Sequence, residues 1–446
     1  MNAFVTLQAP ASKSVSHRML IGAALASGTS VVEHVLESKD LERTRALLCA
    51  AGAEIRPAGP GAYAVSGMDG LPSGGTEKAP LDCDVHESGT TCRILTAVLA
   101  AGRGVFRVHG AGRMHQRPIG ALAAVLEGLG ARIRYEGEPG CPPLVLSTDG
   151  LKGGESVIGL DESSQYLSGL LLAAPLMAEG LRITLGGSRV VSWPYVGLTL
   201  QTLEDFGVPF RVETREDASS SWKEADWRTL SGAYPGRLCF HVPHAAYRAG
   251  RYAVEGDWSG ASYLLAAGAV GRRPVLVRGL RADSLQGDRA MLDILRAMGA
   301  AYAWRDDGVL VSPSALHGVD VDMGACPDLV PTVAAVAALA SGVTRVRNVA
   351  HLRLKESDRI AAPAGELRKA GVRVDEHEDG MTVYGTGGSG AGLQAAPGTL
   401  FSAHGDHRIA MSLALLELAG MEVRLDDPAV VRKSFPDFWQ VWEAVR

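Results

Sequence analysis

Gly405–Gly420, "GDHRIAMSLALLELAG", sets Asp406, His407 and Arg408 directly ahead of a segment that is otherwise almost wholly apolar. A helix apolar on every side is built to be buried, so three ionisable residues on its front need a reason. Five earlier stretches share the pattern: "SKSVSHRMLIGAALASG", "ESGTTCRILTAVLAAG", "ESSQYLSGLLLAAPLMAEG", "GDWSGASYLLAAGAVG" and "CPDLVPTVAAVAALASG". Each joins a polar front to an Ala/Leu-rich body with a glycine near its end. Recurrence of this kind is an internal repeat.

After each apolar helix comes a short alternating strand, as in "SVVEHV", "VFRVHG", "RITLGG", "VLVRGL", "TRVRNV" and "MEVRLD", then a polar loop and a second helix. Five of the second helices end alike, in "LLCAAGAEI", "VLEGLGARI", "TLEDFGVPF", "ILRAMGAAY" and "ELRKAGVRV". The glycine there is a helix C-cap able to turn left-handed, and the residues beyond it resume period-two alternation. Each repeat thus combines strands with two helices, an α/β plan. A chain of 446 residues is too long for one compact core, and six repeats divide as three per domain.

Composition narrows the partners. The formal net charge of -5 gives no basic excess for nucleic acid or an anionic membrane surface. No apolar run approaches the ~18 residues that span a bilayer, and "MNAFVTLQAPASKS" has no signal-peptide pattern. A cytoplasmic protein is expected, and any anion site must be local. The six cysteines form no C-x-x-C pair and read as buried thiols in a reducing compartment. Two stretches interrupt the repeat. Thr214–Arg237 reads as a surface excursion. Gly385–Gly398, "GTGGSGAGLQAAPG", lacks the Lys-Ser/Thr ending of a phosphate loop and reads as a flexible turn.

The fronts of the apolar helices carry Lys13, Ser14 and Arg18; Ser88, Gly89, Thr90 and Arg93; Ser163, Ser164 and Gln165; Asp257 and Ser259; Asp328; and Asp406, His407 and Arg408. The second helices add Asp40; Arg113 and Arg117; Ser192 and Tyr195; Gln286 and Asp288; Lys355, Glu356 and Arg359; and Lys433. Capping explains Ser, Thr and Asp. It does not explain Lys13, Arg18, Arg93, Arg117, Arg359, Arg408 and Lys433, since a cation at a helix start is unfavourable by up to about 1 kcal/mol. A bound polyanion relieves the conflict, because free backbone donors and Arg forks both accept phosphate or carboxylate. Seven cations suit two anionic ligands, and carboxylates in their midst suit proton transfer.

At these residues the chain resembles the 5-enolpyruvylshikimate-3-phosphate synthase (3-phosphoshikimate 1-carboxyvinyltransferase) family. The matching stretches are "APASKSVSHR", "SGTTCR", "RMHQRPIG", "SSQYL", "SWPYVGLTL", "VEGDWSGASY", "SLQGD", "LKESDR", "GDHRIAM" and "RKSFPDFW", in order along nearly the whole chain. The resemblance implies a two-domain inside-out α/β barrel of six βαβαββ repeats, with helix N-termini facing an interdomain cleft. The domains would be 12–253 and 1–11 with 254–446. It implies transfer of the enolpyruvyl group of phosphoenolpyruvate to shikimate 3-phosphate, with no metal or cofactor. Lys13, Ser14, Arg18, Ser163, Ser164, Ser192, Tyr195 and Lys355 would hold shikimate 3-phosphate. Gly89, Arg117, Arg359, Arg408 and Lys433 would hold phosphoenolpyruvate, while Lys13 and Gln165 would touch both. Asp328, also a shikimate 3-phosphate contact, and Glu356 would handle protons, with Lys13 a rival donor.

Ala11, Glu87, Ile94 and His351 depart from the family pattern, and Glu87 places an extra carboxylate near Gly89. Two other readings are open. UDP-N-acetylglucosamine enolpyruvyl transferases share the fold but carry a Cys in the loop where "RMHQRPIG" has none. A non-catalytic binder of phosphorylated metabolites would need Asp328 and Glu356 to be mere caps. No H-E-x-x-H or G-x-S-x-G motif supports hydrolase chemistry. Cys92, beside Arg93, is either an activated thiol or a packed helix residue, and its place in an apolar helix favours packing.

Overall fold

The computed structural model describes residues 4–230, 232–305, 307–387 and 392–446. Part of the glycine-rich turn, 388–391, lies outside them. The chain divides into two compact units, Lys13–Val254 (the first unit) and Met1–Ser12 with Glu255–Arg446 (the second).

The apolar helices of the first unit are Lys13–Leu25, Gly89–Ala100 and Gln165–Ala173; those of the second are Trp258–Val270, Val330–Leu339 and His407–Ala414. Having no polar face, they form the core. Every residue of Val330–Leu339 is buried, as is all of Trp258–Val270 except its last residue. The second helices are amphipathic. Lys39–Ala50 buries Leu41, Thr44, Leu47 and Leu48 along one stripe and shows its remaining face to solvent. Each of the five expected C-cap glycines, Gly52, Gly130, Gly207, Gly299 and Gly371, has positive φ, which lets the chain reverse into the next strand.

Five sheets share one plan: an edge strand runs parallel to its neighbour, and the remaining pairs are antiparallel, with the last strand of the repeat inserted between earlier ones. In the 81–149 repeat, Leu81–Asp84 and Arg103–His109 are the parallel pair, with helix Gly89–Ala100 between them. Two repeats borrow their edge strand. Arg251–Ala253, at the end of the first unit, pairs with Thr29–Glu33 near its start. Val5–Gln8 pairs with Val275–Arg278. Both borrowed strands lie close in sequence to the chain crossings between the units.

The sixth repeat is cut short. Among the described residues Leu400–Phe401 pairs only with Arg424–Leu425, and the expected second helix is reduced to a 3-10 turn, Pro428–Lys433, and the short helix Phe438–Trp442. Asp427 caps that turn through the Ala429 amide, and Phe435, Phe438 and Trp442 close the core against Tyr263. The excursion 214–237 is mostly exposed; its Lys223–Glu224 strand pairs with Glu213–Thr214. No helix among the described residues is long and apolar enough to cross a membrane.

Candidate functional site

In the first unit the fronts of four helices meet. Lys13 Nζ lies 2.5 Å from Asp40 Oδ2. The Asp40 carbonyl accepts from the Thr91 hydroxyl, which also meets Ser88, the cap of Gly89–Ala100. Gln165 Nε2 donates to Thr90 Oγ1 at 3.0 Å, and Gln165 Oε1 accepts from Arg93 Nη1 at 3.2 Å. Arg93 also donates to the Pro118 carbonyl and to Ser163 Oγ, whose oxygen accepts from the Gln165 amide. Arg117 Nη1 donates to the Glu87 carbonyl, and its guanidinium covers Gly89 so closely that an added Cβ would stand 2.2 Å from Nη2. Glycine is required there for that approach.

Arg18 is sealed inside this unit. Its guanidinium donates to Thr199 Oγ1, Ser168 Oγ and the carbonyls of Ser14 and Tyr195, which takes four of its five N–H donors. Burial lowers its pKa to about 10. Burial and then the neighbouring Arg117 likewise lower that of Arg93. These guanidiniums rest on neutral oxygens, and their burial disfavours their charge. Ser192 adopts φ 54°, a strained left-handed conformation for serine, next to Tyr195. Ser164 opens helix Gln165–Ala173 with no side-chain cap. Beneath the site, His17 Nδ1 meets Thr44 Oγ1, which meets Thr91; burial, then Lys13, lowers the His17 pKa to about 3 and keeps the ring neutral.

The second unit is built the other way. Arg359, 2 % exposed, donates from Nη1 to Asp328 (2.9 Å), from Nη2 to Glu356 (2.5 Å) and from Nε to Asp406 (2.7 Å). Arg408 Nη2 donates to Asp328 at 2.7 Å, and Lys433 Nζ lies 3.9 Å from Glu356. Asp406 also caps His407–Ala414 through the Arg408 amide and accepts from Ser357. Burial works to raise the Asp328 carboxyl, but Arg408, Arg359 and Lys355 outweigh it and hold Asp328 well below the usual carboxylate range. Burial works against the Arg359 cation, yet Asp406, Glu356 and Asp328 push its pKa above the ordinary value. Nearby, buried Asp288 accepts from Ser259 through Oδ2 while its Oδ1 has no hydrogen-bond partner. Burial, then the Asp328 charge, raises Asp288 to about 7.

The placement of the cations needs correction. Only Lys13 and Arg408 stand in a first helical turn; Arg18 and Arg93 lie one turn further in. Arg117 follows the 3-10 turn Gly112–Gln116, and Lys355, Glu356 and Arg359 occupy the segment between the turn Ala350–Leu354 and the helix Ala361–Lys369. Lys433 ends its turn, where a cation is favoured. The dipole conflict is therefore smaller than sequence spacing suggests, and much of the positive charge is already balanced internally. Capping accounts for Ser88, Asp257 and Asp406, as expected for a share of the fronts. Sequence reading left Asp406 and Arg93 out of the site. Their signals were present at the fronts, but only contact shows Asp406 shared with Arg359 and Arg93 holding Gln165.

Two other questions from the sequence are answered. The Glu87 carboxylate lies against Gly112, where an added Cβ would stand 2.6 Å from Oε1. Burial raises the Cys92 thiol to about 11 despite Arg93 and Arg117, so it is a packed residue rather than an activated one.

The chain is a mixed α/β protein of repeated sheets, each with a parallel edge pair and antiparallel partners, whose cations and carboxylates cluster at and beside its helix fronts. The sequence profile of EPSP synthase (3-phosphoshikimate 1-carboxyvinyltransferase) matches residues 4–222 and 239–442. The 3-phosphoshikimate 1-carboxyvinyltransferase of Thiobacillus denitrificans is 38% identical over 443 residues, covering 99% of this chain and 96% of that protein. Its counterpart in Methanosphaerula palustris is 38% identical over 449 residues, covering 98% and 95%. A solved EPSP synthase from Acinetobacter baumannii superposes with a TM-score of 0.75 at 26% identity, covering 99% of this chain and 96% of that one. The chain belongs to the EPSP synthase family.

Proposed function

We propose that this protein transfers the enolpyruvyl group of phosphoenolpyruvate to the 5-hydroxyl of shikimate 3-phosphate and releases phosphate, a step of aromatic amino acid biosynthesis. The observation that carries this reading is the near full-length relationship to 3-phosphoshikimate 1-carboxyvinyltransferases. The two units correspond in this proposal to inside-out α/β domains, 12–253 and 1–11 with 254–446, of a cytoplasmic monomer.

Lys13, Ser14, Arg18, Ser163, Ser164, Gln165, Ser192 and Tyr195 of the first unit, with Asp328 and Lys355 of the second, bind shikimate 3-phosphate. Lys13, Gly89, Arg117, Gln165, Arg359, Arg408 and Lys433 bind phosphoenolpyruvate. The hydroxyl adds to the carbon bearing the phosphate while the methylene carbon gains a proton; the tetrahedral adduct then loses a proton and phosphate. Asp328, held ionised by its cations, can accept a hydrogen bond from the attacking hydroxyl and orient it, and takes its proton in this proposal. Glu356, hydrogen-bonded to Arg359 and near Lys433, delivers and removes the proton at carbon, with Lys13 the rival. Positive charge fixed in advance balances the departing phosphate.

The test is phosphate release by purified protein. Release is expected only with both substrates present and is expected to survive a chelator. Full activity with UDP-N-acetylglucosamine in place of shikimate 3-phosphate, or loss of activity on chelation, overturns the reading.

A further inference from the structure

Glu213, Cys239 and His241 bring a carboxylate, a thiol and an imidazole together on one sheet of the first unit, with ligand atoms within 4.8 Å of one another. Glu213 and Cys239 are directly opposed across adjacent antiparallel strands, and His241 follows two residues after Cys239 on the same face. That face is turned away from the helices: Phe240, on the opposite side of the strand, packs against Trp193 at the start of helix Pro194–Asp205. His241 Nε2 lies 2.7 Å from Glu213 Oε2 and 3.7 Å from Cys239 Sγ. Two ligands of a tetrahedral zinc ion, with bonds of about 2.3 Å to sulfur and about 2.0–2.1 Å to nitrogen, stand about 3.6 Å apart. The sulfur and nitrogen are already at that spacing.

We infer that Glu213, Cys239 and His241 form a binding site for a zinc-type divalent cation, separate from the reacting groups. Thiolate, imidazole and carboxylate form a donor set that suits zinc over magnesium or calcium, and three protein ligands leave a fourth position for water. His241 lines an open groove of about 500 Å³ with Arg182, Phe210 and Arg211, which supplies an entry path. Binding replaces the Cys239 thiol proton, which passes to solvent, by the metal, so affinity rises with pH.

The position of the trio indicates what the cation does. Glu213 precedes the exposed excursion and Cys239 and His241 follow it, so one ion bridges the two strands at its base. The family profile omits 223–238, all but the last residue of which lies in this excursion. Trp222, in the same excursion, lies over Arg182 and Arg215, and Arg182 is the cross-strand neighbour of His241. The cation is a clasp that fixes an insertion onto the shared core.

The experiment uses the full chain with the exposed Cys49 replaced (Cys49→Ser) and stripped of metal, dialysed against zinc(II) and, separately, cobalt(II). About one equivalent should bind, and cobalt should show thiolate-to-metal charge-transfer absorption that Cys239→Ser removes. Because even loss of an outer-shell partner costs about 10–100-fold, His241→Ala and Glu213→Gln should each weaken binding by more than about tenfold. Both replaced groups are partly solvent-accessible, so these variants keep the test valid should Cys239→Ser not fold. Zinc should also slow proteolysis within 215–237, while phosphate release by the variants stays at the parent rate. Substoichiometric binding, a missing charge-transfer band or unchanged affinity in His241→Ala overturns the site; zinc-independent proteolysis overturns the clasp.

Discussion

The two units meet the problem of buried cations in opposite ways. In the first, Arg18 and Arg93 donate to hydroxyls, amides and carbonyls, and burial lowers their pKa. In the second, Arg359 holds three carboxylates and its pKa rises. The same guanidinium is an unsatisfied charge in one setting and the hub of an ion cluster in the other. In the proposed function an incoming anion supplies a countercharge in the first unit, whereas in the second it shares cations with carboxylates already paired to them.

The largest effect expected from this contrast is kinetic. Glu356→Gln should leave both substrates bound while lowering turnover by about 10²–10⁴-fold. Asp328→Ala should lower turnover and also loosen shikimate 3-phosphate. Solvent hydrogen exchange into the methylene group of phosphoenolpyruvate separates the roles: a normal rate in Glu356→Gln would move the proton donor to Lys13.

Next in size is the stability of the ion cluster. Arg359→Ala strands Asp328, Glu356 and Asp406 without their shared cation, and should cost about 3–5 kcal/mol in denaturant unfolding. A loss below about 1 kcal/mol would mean that the carboxylates find other partners and that the contrast between units is overstated.

Asp288 sharpens the contrast through pH. Its folded pKa of about 7 lies above the ordinary 3.8, because of burial and then Asp328, while Arg408 and Ser259 act the other way. The stability linked to its proton is therefore fully present below about pH 4 and is lost as pH rises through about 7. Asp288→Asn, which needs no proton to stay neutral, should gain on the parent across that window by about 2–4 kcal/mol. A stability difference independent of pH would refute the shift.

The smallest effect concerns the first unit's anion site. Arg117→Ala should raise the KM for phosphoenolpyruvate by the equivalent of about 1.5–3 kcal/mol while changing that for shikimate 3-phosphate far less. Gly89→Ala should act in the same direction by displacing the guanidinium that covers it. Equal changes in both KM values would reverse the assignment of ligands to clusters.

Much of this was legible because it is local. An Ala/Leu-rich body with a polar front, a glycine before a period-two stretch, and their repetition report burial and chain reversal within some twenty residues. All six apolar helices and all five left-handed glycines follow from such spacing. The borrowed edge strands were not legible, since Val5–Gln8 gains its meaning from Val275–Arg278. Nor was the true position of Lys433, which a proline-opened turn carries to a favourable helical end.

The sequence alone determined which chemical groups lie at or near the helix fronts: cations, carboxylates, and a glycine where no side chain fits. Only the tertiary structure decided how they pair. Asp406 reads in sequence as a cap and becomes the partner of Arg359, while Glu213 and Cys239, far apart along the chain, come to face each other. The reason is physical. Backbone periodicity is set by neighbours along the chain, whereas charge compensation and metal-ligand geometry depend on distances between groups that only packing brings together.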